Sequence, residues 1–159
     1  MSALEAPVEP VRKSVRIARS VEDTFRVFVD DFAKWWPVER FSRTADDQYP
    51  PGVTLERVVF EPRAGGRIYE VTSAGDEGSW ADVLLFDPPR RLVLAWKPND
   101  RPEPTTEVEV RFEPDGDGTI VNLEHRGWER LGERAEQARD GYAHGWRIPF
   151  QRFAAAAGG

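Results

Sequence analysis

Residues 105–128, TTEVEVRFEPDGDGTIVNLEHRGW, read as two alternating strands joined by a turn. Val108, Val110 and Phe112 share one face while Glu107, Glu109 and Arg111 take the other, the period-two pattern of a sheet wet on one side. Asp115-Gly116-Asp117-Gly118 supplies residues that tolerate positive φ, so the chain reverses there. After the turn Thr119, Val121, Leu123 and His125 face inward. That row ends in a side chain that ordinarily titrates near neutral pH.

Working outward, residues 11–18 alternate, with Val15 and Ile17 inward and Arg12, Ser14 and Arg16 on a solvated face. Ser20 stands at an N-cap with Asp23 as a capping-box-like partner, and Phe25, Phe28, Val29 and Phe32 follow at helical spacing. Pro37 stops that helix, making Lys34-Trp35-Trp36-Pro37 its exit and the mouth of a loop. Strand-like runs at 54–60, 67–72, 79–86 and 90–97 precede the hairpin. Turn signals separate them: Gly65-Gly66 in a hairpin turn, residues 75–78, Asp87-Pro88-Pro89 and the proline-rich 97–104. Short sequential connections predict an antiparallel meander with the first strand added at an edge. From Glu129 onward Leu131, Ala135, Ala138, Tyr142, Trp146, Phe150 and Phe153 recur at helical intervals. The helix is expected to kink or restart at Pro149, with Asp140-Gly141 a second candidate break and Gly158-Gly159 its end.

A chain of 159 residues with 40% hydrophobic content fits one domain, here 11–157, behind a flexible tail at 1–10 that contains Pro7 and Pro10. The formal charge of -6 argues against a reader of phosphate backbones, so no nucleic-acid partner is expected. Having no cysteine excludes disulfides, thiolate catalysis and cysteine-ligated metals. With no HExxH and no paired histidines either, no metal and no cofactor is predicted. The start MSALEAPVEPVRK lacks an apolar core behind a basic end, and no stretch reaches membrane-spanning length, so the expectation is a soluble cytoplasmic protein without membrane insertion. Asp46-Asp47 read as loop acids serving solubility.

Several local motifs recur in a fixed order: Phe60-Glu61-Pro62 then Gly65-Gly66-Arg67, residues 78–83, Pro88-Pro89-Arg90-Arg91-Leu92 ending at Trp96, residues 106–112, Gly118-Thr119 to His125, and Gly141-Tyr142 to Gly145-Trp146. In that order and spacing the chain resembles the START-like helix-grip superfamily, also called SRPBCC, and within it the AHSA-like branch of heat-shock ATPase activator homologues. The resemblance implies an α+β fold: a curved antiparallel sheet of about seven strands wrapped around a long C-terminal helix, with one or two short helices after the first strand. It also implies a cavity between sheet and helix that family members use for apolar or amphipathic small molecules. Chemistry is not implied, because one scaffold carries carriers, receptors, cyclases, hydrolases and chaperone cofactors.

The candidate cavity wall follows from the inward rows. It takes Phe28, Phe32 and Trp36 from the first helix and its exit, Leu94 and Trp96 from one strand, Val108, Val110 and Phe112 from the next, Val121, Leu123 and His125 from the last, and Tyr142 and Trp146 from the terminal helix. Six tryptophans are many for this length, and each indole joins a wide apolar face to one donor. Core packing is the plainer role for them, with Trp36 and Trp96 the best placed to touch a ligand. On strand 67–72 alternation sets Arg67, Tyr69 and Val71 against Ile68, Glu70 and Thr72 without saying which row points inward. Tyr69 inward would add a phenol to the cavity; Glu70 inward would set a carboxylate near His125. His144 reads as a surface or gating residue.

The leading reading is a single-domain protein that binds a small apolar or amphipathic molecule, with no catalytic residue assigned and a homodimer left open. A second is a cyclase, dehydratase or hydrolase using His125 with Glu70 or Tyr69. A third is a stress-related chaperone-interaction module, which needs a broad exposed apolar patch.

Overall fold

The computed structural model describes residues 8–45, 49–97 and 105–158. The loop acids Asp46-Asp47 and the proline-rich 98–104 therefore lie outside the described residues. Seven strands form one antiparallel sheet: β1 (Val11–Ile17), β2 (Leu55–Phe60), β3 (Arg67–Thr72), β4 (Glu77–Asp87), β5 (Arg91–Trp96), β6 (Thr106–Asp115) and β7 (Gly118–Arg126). Their order is β1-β7-β6-β5-β4-β3-β2, the expected meander with the first strand added at an edge. The β6–β7 turn is set by the pair Asp115↔Gly118, leaving two residues in the loop with Gly116 at φ 62. A Cβ on Gly118 would meet the Ile17 carbonyl at 2.7 Å, so the edge strand can close on the turn only because that side chain is missing.

Three helices follow β1: α1 (Val21–Asp30), α2 (Phe32–Trp35) and α3 (Val38–Phe41). Ser20 caps α1, its Oγ accepting from the Asp23 N–H at 3.1 Å. The helix expected to run from Ser20 to Pro37 is instead broken at Asp31, where the backbone (φ -100, ψ 14) leaves the helical range and Phe32 starts a second short helix; Pro37 ends that second piece. The phenylalanines of α1 lie on the concave face of the sheet, Phe25 and Phe28 meeting Phe112 at ring centroids of 5.0 and 5.7 Å.

The C-terminal helix is bent rather than continuous. A 3₁₀ stretch, Trp128–Arg134, is interrupted at Gly132 (φ 62, ψ -125) and leads into α4 (Ala135–Gly145), followed by α5 (Arg147–Ala156). The break lies at Trp146, three residues before the expected Pro149, and Asp140-Gly141 stays helical. The physical reason is the i to i−4 pattern: the N–H that proline lacks would bond the Gly145 carbonyl, and the ring crowds that same carbonyl. Pro149 thus falls in the first turn of α5, where no donor is needed. Gly158, at φ 81, ends the helix. Arg139 of α4 donates to the carbonyls of Glu9 (2.9 Å) and Pro10 (3.2 Å), tying the described end of the tail to the body.

On the convex face the alternation hides one exception. Glu109 points away from the core yet is only 5% exposed, because Arg91, Arg111 and Arg126 close over it at 2.9, 2.9 and 2.5 Å.

Candidate functional site

Strand β3 presents Ile68, Glu70 and Thr72 to the concave side, all fully buried. Tyr69 takes the opposite face, where the Arg67 guanidinium lies 3.9 Å over its ring. Its phenol is therefore neither a wall of the concave side nor a partner for His125, which corrects its place among the candidates. Next to β3 the register runs Ile68↔Ala81 and then Tyr69↔Ser79, so Trp80 is the extra residue of a β-bulge. The bulge turns the Trp80 indole inward, where it donates to Glu70 Oε1 at 2.8 Å. Ser42 Oγ donates to Glu70 Oε2 at 2.6 Å. Ser42 is itself oriented by the Thr44 N–H at 3.1 Å, so the segment after α3 is pinned to the sheet through one carboxyl group.

His125 lies across the same concave surface, fully buried between Trp128 (ring centroids 4.2 Å) and Tyr142 (4.8 Å). Its Nδ1 accepts from the Trp146 indole N–H at 3.0 Å. That bond fixes the tautomer: the ring proton sits on Nε2, which donates to Thr106 Oγ1 at 2.6 Å. Burial pushes its pKa down from 6.5 to about 3, so the imidazole is neutral through the physiological range. Protonating Nδ1 would set one donor against another. With both nitrogens occupied, the ring is a buried structural acceptor rather than a base open to substrate.

Between these two polar anchors lie four indoles. Trp36 stands 5.7 Å from Trp96, 5.8 Å from Trp146 and 5.8 Å from Trp80, and Trp96 stands 5.7 Å from Trp146 (ring centroids). Phe32 stacks on Trp36 at 5.2 Å and 17°. Four of the six indole donors of the chain are engaged: Trp35 with the Val27 and Phe28 carbonyls, Trp80 with Glu70, Trp128 with the His125 carbonyl and Trp146 with His125. The N–H groups of Trp36 and Trp96 are buried and have no partner among the described residues. Such a group ordinarily costs about 1–3 kcal/mol, which is why native structures rarely leave one. Two side by side at the centre of an aromatic cluster make this the candidate site.

The other candidates surround it as apolar wall. Phe28, Phe32, Leu94, Val108, Val110, Phe112, Val121 and Leu123 are all buried on the concave side, and Tyr142 is half-buried against His125. His144 is exposed. Four participants were not singled out from the sequence: Ser42, Trp80 as a donor, Thr106 and Trp128. Thr106 was within reach, since it extends the inward row of Val108, Val110 and Phe112 by one step; Ser42 carries no local signal. Among the described residues only Phe41 and Leu84 are exposed large apolar side chains, and no cluster of three or more histidine, aspartate or glutamate side chains is placed to hold a metal. No described helix is long and apolar enough to cross a membrane.

A family model described as "Activator of Hsp90 ATPase homolog 1-like protein" matches residues 18–158. No curated protein matches the sequence. Among solved structures, the anthrahydroquino-Gama-pyrone synthase Txn09, complexed with SUM, is 34% identical over 94% of this chain and 97% of its own, with a TM-score of 0.58. The self-sacrificing resistance protein CalC from Micromonospora echinospora is 30% identical over 94% of each chain, with a TM-score of 0.67. Protein CV1439 from Chromobacterium violaceum shares the fold at 18% identity and a TM-score of 0.64, covering 95% of this chain and 98% of its own.

Proposed function

The chain belongs to the Activator of Hsp90 ATPase homolog 1-like family, and from that premise we propose that it binds a small apolar or amphipathic molecule between the sheet and the terminal helix, at the cluster of Trp36, Trp80, Trp96 and Trp146. The observation that carries this reading is the pair of buried, unpartnered indole donors on Trp36 and Trp96. A site that keeps polar groups unpaired in the free protein gains their hydrogen bonds when a ligand arrives. The wall supports the same reading, being aromatic and aliphatic with few polar groups.

A route inward is supplied by the α3 segment. It is held to the sheet by Ser42 on Glu70 and to α5 by the paired contacts of Arg152 with Glu39, the first of them at 3.0 Å. The ion pair is half-exposed, and pairs of that kind contribute about 0–1 kcal/mol. Displacing the segment would part Trp36 from its neighbours; beyond that weak ion pair it costs the buried Ser42–Glu70 hydrogen bond and the aromatic contacts of Trp36, which a bound ligand would have to replace. Two relatives above 25% identity, named as a synthase and a resistance protein, support small-molecule handling on this scaffold.

Binding is favoured over His125-based catalysis because the imidazole is enclosed and engaged at both nitrogens, and Tyr69 lies on the other face of the sheet. An interaction module has less support still, given only Phe41 and Leu84 as exposed large apolar side chains among the described residues. Titrating the protein into Nile red tests the proposal. The expected result is saturable one-to-one binding that Trp36→Leu and Trp96→Leu each weaken; binding that never saturates, or is indifferent to both variants, would overturn it.

A further inference from the structure

We infer that the molecule bound at this cluster is flat, uncharged and carries a carbonyl-type oxygen that accepts hydrogen bonds from the Trp36 and Trp96 indoles. This rests on the binding reading above and narrows it to a chemical class.

An indole nitrogen donates and never accepts, so whatever satisfies Trp36 and Trp96 must bring the acceptor itself. Nearby protein acceptors are already engaged: Glu70 by Ser42 and Trp80, and His125 Nδ1 by Trp146. Trp36 and Trp96 are 6% and 5% exposed, so bulk water does not serve them as it serves a surface tryptophan.

No lysine or arginine side chain described by the structure is buried, so no cation waits on the concave side for an anionic acceptor. The buried ionisable groups facing inward are Glu70, whose oxygens already accept from Ser42 and Trp80, and His125, which is neutral; neither offers a countercharge to an anion. A carboxylate or phosphate would lose its hydration here without a countercharge, the costliest kind of polar burial. A neutral ketone, quinone or lactone oxygen accepts equally well in geometry and loses far less on leaving water.

The Trp36, Trp96 and Trp146 ring planes meet at 60°, 75° and 45°, so faces and edges of indoles line one small region. A planar aromatic body meets such surfaces by offset stacking and edge contacts, which a flexible acyl chain cannot do.

The test uses three naphthalenes substituted at the same carbon and nearly equal in size: the methyl ketone, the ethyl derivative and the carboxylate. Binding to the full chain is measured by quenching of tryptophan emission at neutral pH. The ketone should bind about tenfold tighter than the ethyl compound, which leaves both donors unpaired, and the carboxylate should bind weakest. Trp36→Phe and Trp96→Phe, singly and together, keep an aromatic ring and remove the donor. They should erase the preference for the ketone while the ethyl compound still binds. Equal affinity for ketone and ethyl compound, a preference that survives the double variant, or tightest binding of the carboxylate would overturn the inference and leave the binding site standing. Failure of all three to saturate would instead overturn the site itself.

Discussion

Replacing His125 by glutamine should remove a pH dependence from the folding stability of this protein. In the folded chain burial holds the imidazole pKa at about 3 against 6.5 for a free side chain. Between those values the unfolded chain binds a proton that the folded chain does not, so stability is full above the unfolded pKa and is lost as pH falls. The slope is ~1.4 kcal/mol per pH unit for one proton, which gives ~2 kcal/mol lost between pH 7 and pH 5, and ~5 kcal/mol over the whole gap. Glutamine can accept from Trp146 and donate to Thr106, the two contacts His125 makes, but it cannot titrate. Urea denaturation of both proteins at both pH values supplies the assay. Other ionisable groups are common to the two chains and cancel in the comparison. The wild type should lose ~2 kcal/mol more than His125→Gln on acidification, or ~4–8 °C in Tm for a chain of this size. Parallel losses in the two proteins would refute a neutral, proton-excluding imidazole, and with it the tautomer assigned from Trp146.

Two further predictions concern groups whose environments differ from their neighbours'. In the ligand-free protein Trp36→Phe and Trp96→Phe should change stability by less than ~1 kcal/mol, since each removes an unpaired donor along with some packing, whereas Trp80→Phe and Trp146→Phe should each lose ~2 kcal/mol or more by stripping a partner from Glu70 or His125. Urea melts decide it, and equal losses across the four would show that the donors are not distinguished. At Glu109 burial alone would raise the carboxyl pKa, but hydrogen bonds and charge from Arg126 and Arg111 outweigh it and the net shift is downward. Its contribution is thus present above the ordinary carboxylate pKa and lost as pH falls through the lower folded value. Glu109→Gln should cost ~2 kcal/mol at neutral pH and flatten the acid limb of the stability curve; an unchanged acid limb would refute it.

The parts of this fold that sequence makes legible are those governed by short-range geometry. Alternation in residues 105–128 gives the hairpin and both its faces, Ser20 marks the start of α1, and Pro37 marks the end of α2. Pro149 announces a bend, and the hydrogen-bonding offset explains why the bend falls at Trp146. What stays hidden depends on contacts between distant segments. No pattern in the stretch around Trp80 distinguishes a regular strand from a bulge, yet that one extra residue decides that an indole reaches Glu70. The face of β3 follows from its pairing with β2, where Val58 opposes Glu70 and Phe60 opposes Ile68, and from Phe60 meeting Phe32 in the core. The wet face assigned to Glu109 hid a buried carboxylate, because three arginines from three strands converge only after folding. As for the candidate site, its walls were readable one row at a time, but which indoles lack a partner is a property of the assembled interior.

The spacing of the four indoles has an optical consequence. Rings held within 6 Å and tilted against one another couple their electronic transitions, so the far-ultraviolet circular dichroism of this protein should carry an exciton couplet superimposed on the signal of its helices and strands. A molecule bound at the proposed site would slide between the rings and dissolve that couplet while leaving the backbone signal in place, so the same chromophores would record occupancy of the proposed site, without any label.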